Sequence, residues 1–189
     1  MLILASGSPR RAEILKMLGF EFVTETADCD ENTGDMPADK RVALLSRRKA
    51  EAVARLHKND VVLGSDTLVT VYGAVLGKPK STDDAAKMLR MLSGKTHTVY
   101  TGVTVIGGGK ASTEVCSARV TFDDIDDGTI ERYIATGEPM DKAGAYGIQG
   151  RGAMLITGIE GDFFTVMGLP ACASAKLLAK YGIFPDDNR

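Results

Sequence analysis

The stretch Leu2-Ile3-Leu4-Ala5-Ser6-Gly7-Ser8-Pro9-Arg10-Arg11 carries the change of pattern that decides the fold. Four apolar residues of strand length give way to a small-residue turn, and the turn leads straight into a helix. Ser8 is a good N-cap, Pro9 suits the first helical position, and Ile14, Leu15 and Leu18 supply a helical stripe that Gly19 ends. A strand that feeds a helix through such a turn is a natural anion pocket, because free N–H groups and the helix dipole point outward there. Arg10 and Arg11 oppose the dipole in that first turn, so they serve poorly as helix stabilisers and well as forks for phosphate oxygens. The other reading is a capped surface helix with solvated arginines.

Outward from this stretch, Phe20 to Glu25 reads as a strand and Asp28 to Asp39 as an acidic loop. Pro37 opens a longer helix with Val42, Leu45, Ala52, Val53 and Leu56 on one stripe. Val61 to Gly64 reads as a buried strand that stops at Ser65-Asp66, and Thr67 to Leu76 as a hairpin turning at Tyr72-Gly73. Thr82 caps a helix to about Leu92. Thr98 to Ile106 and Ala111 to Phe122 flank the glycines 107–109 as a second hairpin. A short helix over Asp126 to Ala135, strands near Met154 to Ile159 and Phe163 to Met167, and a last helix from Pro170 to about Tyr181 complete the chain. These elements predict a single mixed α/β domain over residues 1–184, in which the hairpins exclude an all-parallel sheet. Pro185 to Arg189 are expected to fray.

The 189 residues carry 23 Lys and Arg against 25 Asp and Glu, a net charge of −2. That balance argues against a general nucleic-acid coat. No apolar run approaches the length that crosses a bilayer, and the apolar start lacks the basic flank of an export signal. Cys29, Cys116 and Cys172 are far apart and form neither a disulfide pattern nor a zinc motif with His57 and His97. The composition thus suggests reduced thiols in a cytoplasmic protein.

Three further places could carry chemistry. Asp66 follows a hydrophobic strand, where it could bind a divalent metal, orient a water, or simply make a turn. Lys78 and Lys142 lie in tight loops and Lys49 in the long helix; together with the arginine pair they resemble a polyphosphate cradle more than solvated charges. Ala145 to Gly152 is glycine-dense, and its Gln149 could read a base edge or belong to a plain loop. Gly109-Lys110 is no P-loop, because Thr104 stands where the first glycine must be and Ala111 replaces the Ser or Thr.

The segments Leu4 to Arg11, Gly64-Ser65-Asp66-Thr67, Gly77-Lys78-Pro79, Ser93 to His97, Asp141 to Gly150 and Gly168-Leu169-Pro170 resemble, in order, those of the Maf family of nucleoside triphosphate pyrophosphatases. The resemblance implies an elongated α/β fold similar to the inosine triphosphatase class, with two lobes around a cleft. It also implies hydrolysis of a nucleoside triphosphate between the α and β phosphates, a divalent cation (Mg²⁺ or Mn²⁺), and a homodimer. Asp66 matches the family's proton acceptor. Ser8, Arg10, Arg11, Lys49, Lys78 and Lys142 match its phosphate cluster, and Glu31 a carboxylate near the metal.

Near several cations Asp66 should stay ionised, so it is expected to orient a metal-polarised water rather than act as a strong base alone. Arg10, Thr67 and Gln149 match the subgroup that acts on dTTP and UTP. The 7-methyl-GTP subgroup tends to Trp, Gln and Glu there. Ser65 stands where Ala is common, a difference expected to matter little. The competing class is a division-arrest protein that works by binding nucleic acid or a partner. The near-neutral charge and the absence of Trp argue against stacking surfaces for single strands.

Overall fold

The computed structural model describes residues 1–26 and 28–186. Seven strands form one sheet: β1 (Leu2–Ala5), β2 (Val23–Thr24), β3 (Val61–Val71), β4 (Ala74–Leu76), β5 (Thr96–Gly107), β6 (Lys110–Phe122) and β7 (Ile156–Gly161). Their order is β2-β1-β3-β5-β6-β7, with β4 paired to β3. β1 lies parallel to β2 and β3, whereas β3–β4 and β6–β7 are antiparallel, so the expected mixed sheet is present. The helices are α1 (Pro9–Met17), α2 (Ala38–Ala54), α3 (Thr82–Leu92), α4 (Asp127–Ile134), α5 (Phe163–Met167) and α6 (Ala171–Ala179). Among the described residues no helix is long and apolar enough to cross a membrane.

The chain divides into two compact units. The first comprises Met1–Asp66, Thr101–Cys116 and Gly168–Arg189; the second comprises Thr67–Tyr100 and Ser117–Met167. In the first, Ile3 and Ala5 of β1 and Val62 of β3 pack against Ala50 and Val53 of α2. In the second, Ala85, Leu89 and Leu92 of α3 meet Val69, Val99, Val120, Ile130 and Tyr146 in a separate apolar cluster.

Several expectations are corrected. β3 does not stop at Ser65-Asp66 but runs on to Val71. The interruption in hydrophobicity is tolerated because Ser65 Oγ donates to the carbonyls of Gly102 (3.0 Å) and Gly168 (2.9 Å), while Asp66 pairs with a lysine. Phe20 to Glu25 yields only Val23–Thr24 as strand, because Phe20 instead closes α1, its N–H donating to Leu15 O at 3.1 Å. Ser81, not Thr82, caps α3 by accepting from Asp84 N at 3.1 Å. Leu56 lies beyond the end of α2 and is exposed. Residues 163–167 form a helical turn rather than a strand. Asp162 dictates this, accepting from the N–H of Phe164 (3.2 Å) and of Thr165 (2.8 Å). Residues 150–155 form a 3₁₀ turn, so the strand expected near Met154 begins at Ile156. In the tail, Asp186 N donates to Gly19 O at 2.9 Å; positions 187–189 lie outside the described residues.

Candidate functional site

In the first unit α2 is brought unusually close to the sheet. A Cβ at Gly64 of β3 would strike Ser46 O, and one at Gly102 of β5 would strike Val42 O, so both strands meet the α2 backbone where only glycine leaves room. Ser46 Oγ is hydrogen-bonded to Thr104 Oγ1 at 2.9 Å, which fixes the rotation of the helix. That rotation points Lys49 at β3. Its Nζ donates to Asp66 Oδ1 at 2.6 Å and lies 3.0 Å from Glu31 Oε1. Burial works against the lysine's charge, but Asp66 and Glu31 outweigh it and raise its pKa, so it remains an ammonium.

The acidic loop reaches this place because Arg48 Nη1 donates to the carbonyls of Asp30 (2.8 Å) and Asn32 (2.7 Å). Arg11, from α1, donates through Nε to Gly168 O (2.9 Å) and through Nη1 to Ser6 Oγ (3.0 Å). Burial holds its guanidinium below the ordinary value, with Asp66 and Glu31 acting in the opposite sense. Ser6 Oγ also accepts from Ser8 N at 3.2 Å, and Ser8 occupies the N-cap position without a side-chain cap bond. The second carboxylate oxygen, Asp66 Oδ2, is buried and has no hydrogen-bond partner among the described residues. A buried acceptor left open beside two cations is a place for a water proton or a cation.

Of the expected residues, the first unit therefore gathers Arg11, Glu31, Lys49 and Asp66 around one carboxylate, with Ser8 and Arg10 at the start of α1. Thr67, Lys78, Lys142 and Gln149 belong to the second unit. There Lys142 Nζ donates to Glu138 O and to Asp141 Oδ1, each at 2.6 Å. Lys78 and Gln149 are exposed.

Arg48, Tyr133 and Glu138 are functional candidates that sequence patterns do not single out. A signal for Arg48 exists, since it neighbours Lys49 on α2 opposite an acidic loop. Tyr133 and Glu138 give none, because their partners are backbone N–H groups about a dozen residues further on.

The residues fit a divalent cation in kind. Asp66 and Glu31 offer hard carboxylate oxygens, and Asp66 Oδ2 is open. Among the described residues no group of three or more ligating side chains is assembled.

A dTTP/UTP pyrophosphatase of Moorella thermoacetica is 52% identical over 185 residues, covering 96% of this chain and 95% of that protein. A dTTP/UTP pyrophosphatase of Shouchella clausii is 47% identical, covering 97% of each. The solved structure of the Staphylococcus aureus Ham1 protein overlays with a TM-score of 0.46 at 17% identity, over 67% of this chain and 72% of that one, too loosely to carry an argument. The sequence model of the family described as Maf-like protein matches residues 1–181, and the chain belongs to that family.

Proposed function

We infer that this protein is a nucleoside triphosphate pyrophosphatase that hydrolyses dTTP and UTP to the monophosphate and pyrophosphate. The observation that carries the chemistry is the open, buried Asp66 Oδ2 beside Lys49, Glu31 and Arg11. The names of relatives about half identical over nearly the full length support the substrates.

Asp66 orients a water and accepts its proton at Oδ2, while Lys49 keeps Oδ1 occupied and so fixes the carboxylate plane. The water oxygen bonds to the α phosphorus, the bridge to the β phosphate breaks, and pyrophosphate leaves. Ser8, Arg10, Arg11, Lys78 and Lys142 are assigned to phosphate oxygens, and Thr67 and Gln149, with Arg10, to choice of base. An amide carries both a donor and an acceptor, as the mixed edge of a pyrimidine requires. A Mg²⁺ or Mn²⁺ ion held by Glu31 and Asp66 would neutralise phosphate charge and polarise the water. The resemblance further supports a cytoplasmic homodimer in which residues 1–184 act as one Maf-like domain.

The test is a panel of dTTP, UTP, CTP, dATP, GTP, ITP and 7-methyl-GTP with Mg²⁺ or Mn²⁺, assayed separately for pyrophosphate and orthophosphate. Pyrophosphate chiefly from dTTP and UTP is expected. Pyrophosphate chiefly from another base would keep the reaction and discard the roles of Arg10, Thr67 and Gln149. None from any nucleotide would return the protein to a binding role.

A further inference from the structure

Glu138 has no part in the roles assigned above, yet the polar contacts of the second unit converge on it. Its Oε1 accepts from the Tyr133 hydroxyl at 2.9 Å and from Gly152 N at 3.0 Å, and its Oε2 accepts from Arg151 N at 3.0 Å. The Tyr133 oxygen in turn accepts from Gly147 N at 3.0 Å. The backbone is thus held on both sides of Gln149, by Tyr133 two residues before it and by Glu138 two and three residues after it. Gln149 itself is exposed, and its side chain does not cap the 3₁₀ turn that follows. Its amide is therefore not spent on the local fold. The main-chain oxygen of Glu138 also receives the Lys142 ammonium at 2.6 Å, so one residue anchors both a loop and a lysine assigned to substrate.

The chemistry of the clamp requires a carboxylate. All three groups that face it are donors, which an ionised carboxylate accepts without conflict. Burial opposes the charge, but the N–H groups of Arg151 and Gly152 and the Tyr133 hydroxyl outweigh it and hold Glu138 below the usual carboxylate range. A glutamine of the same size would turn an NH₂ toward one of those donors. Tyr133 is nearly fully buried and its hydroxyl is committed at both ends, so it transmits position rather than merely filling space.

The geometry points to Glu138 as a positioning residue for base selection, acting through Tyr133 and the 147–152 loop to fix where the Gln149 amide is presented. This inference rests on the reading of Gln149 as a base-contacting group.

The experiment compares wild type, Glu138→Gln and Tyr133→Phe on dTTP, UTP and GTP, measuring kcat and KM for each together with the melting temperature. In Glu138→Gln the ratio of kcat/KM for dTTP over GTP should fall about tenfold, the effect of one lost charge-assisted hydrogen bond. The fall should lie mainly in KM for dTTP. Tyr133→Phe keeps the ring and leaves Glu138 in place, so it should shift the ratio in the same direction by less. It decides the matter if the glutamine variant does not fold. A lower melting temperature with the ratio held within about twofold in both variants would make Glu138 a structural clamp only and overturn the inference. A wild type with no preference for dTTP over GTP would overturn the base-reading role of Gln149 first, and the inference with it.

Discussion

Asp66 and Glu138 are both carboxylates set among donors, and the protein treats them in opposite ways. Asp66 has one oxygen taken by Lys49 at 2.6 Å and the other buried and open. Glu138 has both oxygens filled, by a hydroxyl and two backbone N–H groups. An open buried acceptor costs stability, on the order of 1–3 kcal/mol, and persists where something other than the fold is meant to fill it. A saturated one rigidifies its surroundings. On the proposed roles, the first unit keeps an unmet valence for chemistry, and the second spends its valences on holding a loop still.

The largest expected effect tests the open side of that contrast. Asp66→Asn should cut turnover of dTTP by about a thousandfold, because the amide cannot accept the water's proton. Nucleotide binding, followed by titration calorimetry, should survive. Folding should be little affected, since the amide oxygen can still accept from Lys49. Turnover within about tenfold of wild type would remove Asp66 from the proton-accepting role. Glu138→Gln, in contrast, should alter choice among bases and leave the chemical step largely alone.

The Asp66 side of this contrast is legible in the amino-acid sequence, and the Glu138 side is not, for a physical reason. Arg10 and Arg11 announce themselves because a cation in a helix's first turn opposes the dipole, and Asp66 because it follows a hydrophobic strand, at the end where ligands of open α/β sheets gather. The order of helices and hairpins is legible for a related reason, through period and punctuation. The length of β3 is not, because Ser65 and Asp66 break its apolar run and are satisfied by Gly102, Gly168 and Lys49, all distant in sequence. Residues 163–167 read as strand because five apolar or β-branched residues carry no period. The Asp162 carboxylate, which makes them a helical turn, reads in sequence as an ordinary loop residue. Tyr133 and Glu138 bind backbone groups, and backbone groups have no sequence signature.

The second unit contains one exception to its saturation, and pH exposes it. His97 is 2% exposed, its Nε2 lies 2.7 Å from Tyr146 Oη, and its Nδ1 has no partner among the described residues. The rings of Phe122 and Tyr146 stand edge-on to it at 5.1 and 5.3 Å between centroids. Burial without a carboxylate pushes its pKa down to about 4, from 6.5. Between these values the unfolded chain takes up a proton that the folded chain refuses. Stability should therefore be full above pH 6.5 and decline as pH falls, by about 3 kcal/mol at pH 4, with no further loss from this group below that. The check is urea unfolding of wild type and His97→Asn at pH 7 and pH 4.5. The stability difference between the two proteins should shrink toward the lower pH. A constant difference would mean that His97 is protonated within the fold, and that its Nδ1 finds a partner.

The smallest effect is expected at Ser65, next to Asp66, where the resemblance implies little consequence from a residue that is commonly alanine. Its hydroxyl is shared between Gly102 O and Gly168 O, and Gly168 O also accepts from Arg11 Nε. In Ser65→Ala the Gly168 carbonyl keeps Arg11, and only the Gly102 carbonyl loses its side-chain donor. The cost should be about 1 kcal/mol of stability, read as a small fall in the urea midpoint, with kcat changed by no more than about twofold. That outcome would separate Arg11 from the strand that carries Asp66, leaving the cation held by Ser6 and Gly168 alone. A tenfold loss of kcat would mean instead that Ser65, Gly168 and Arg11 act as one latched chain of hydrogen bonds. The first unit would then position the Asp66 carboxylate as rigidly as the second holds its loop, with Oδ2 left as the open end of that fixed group.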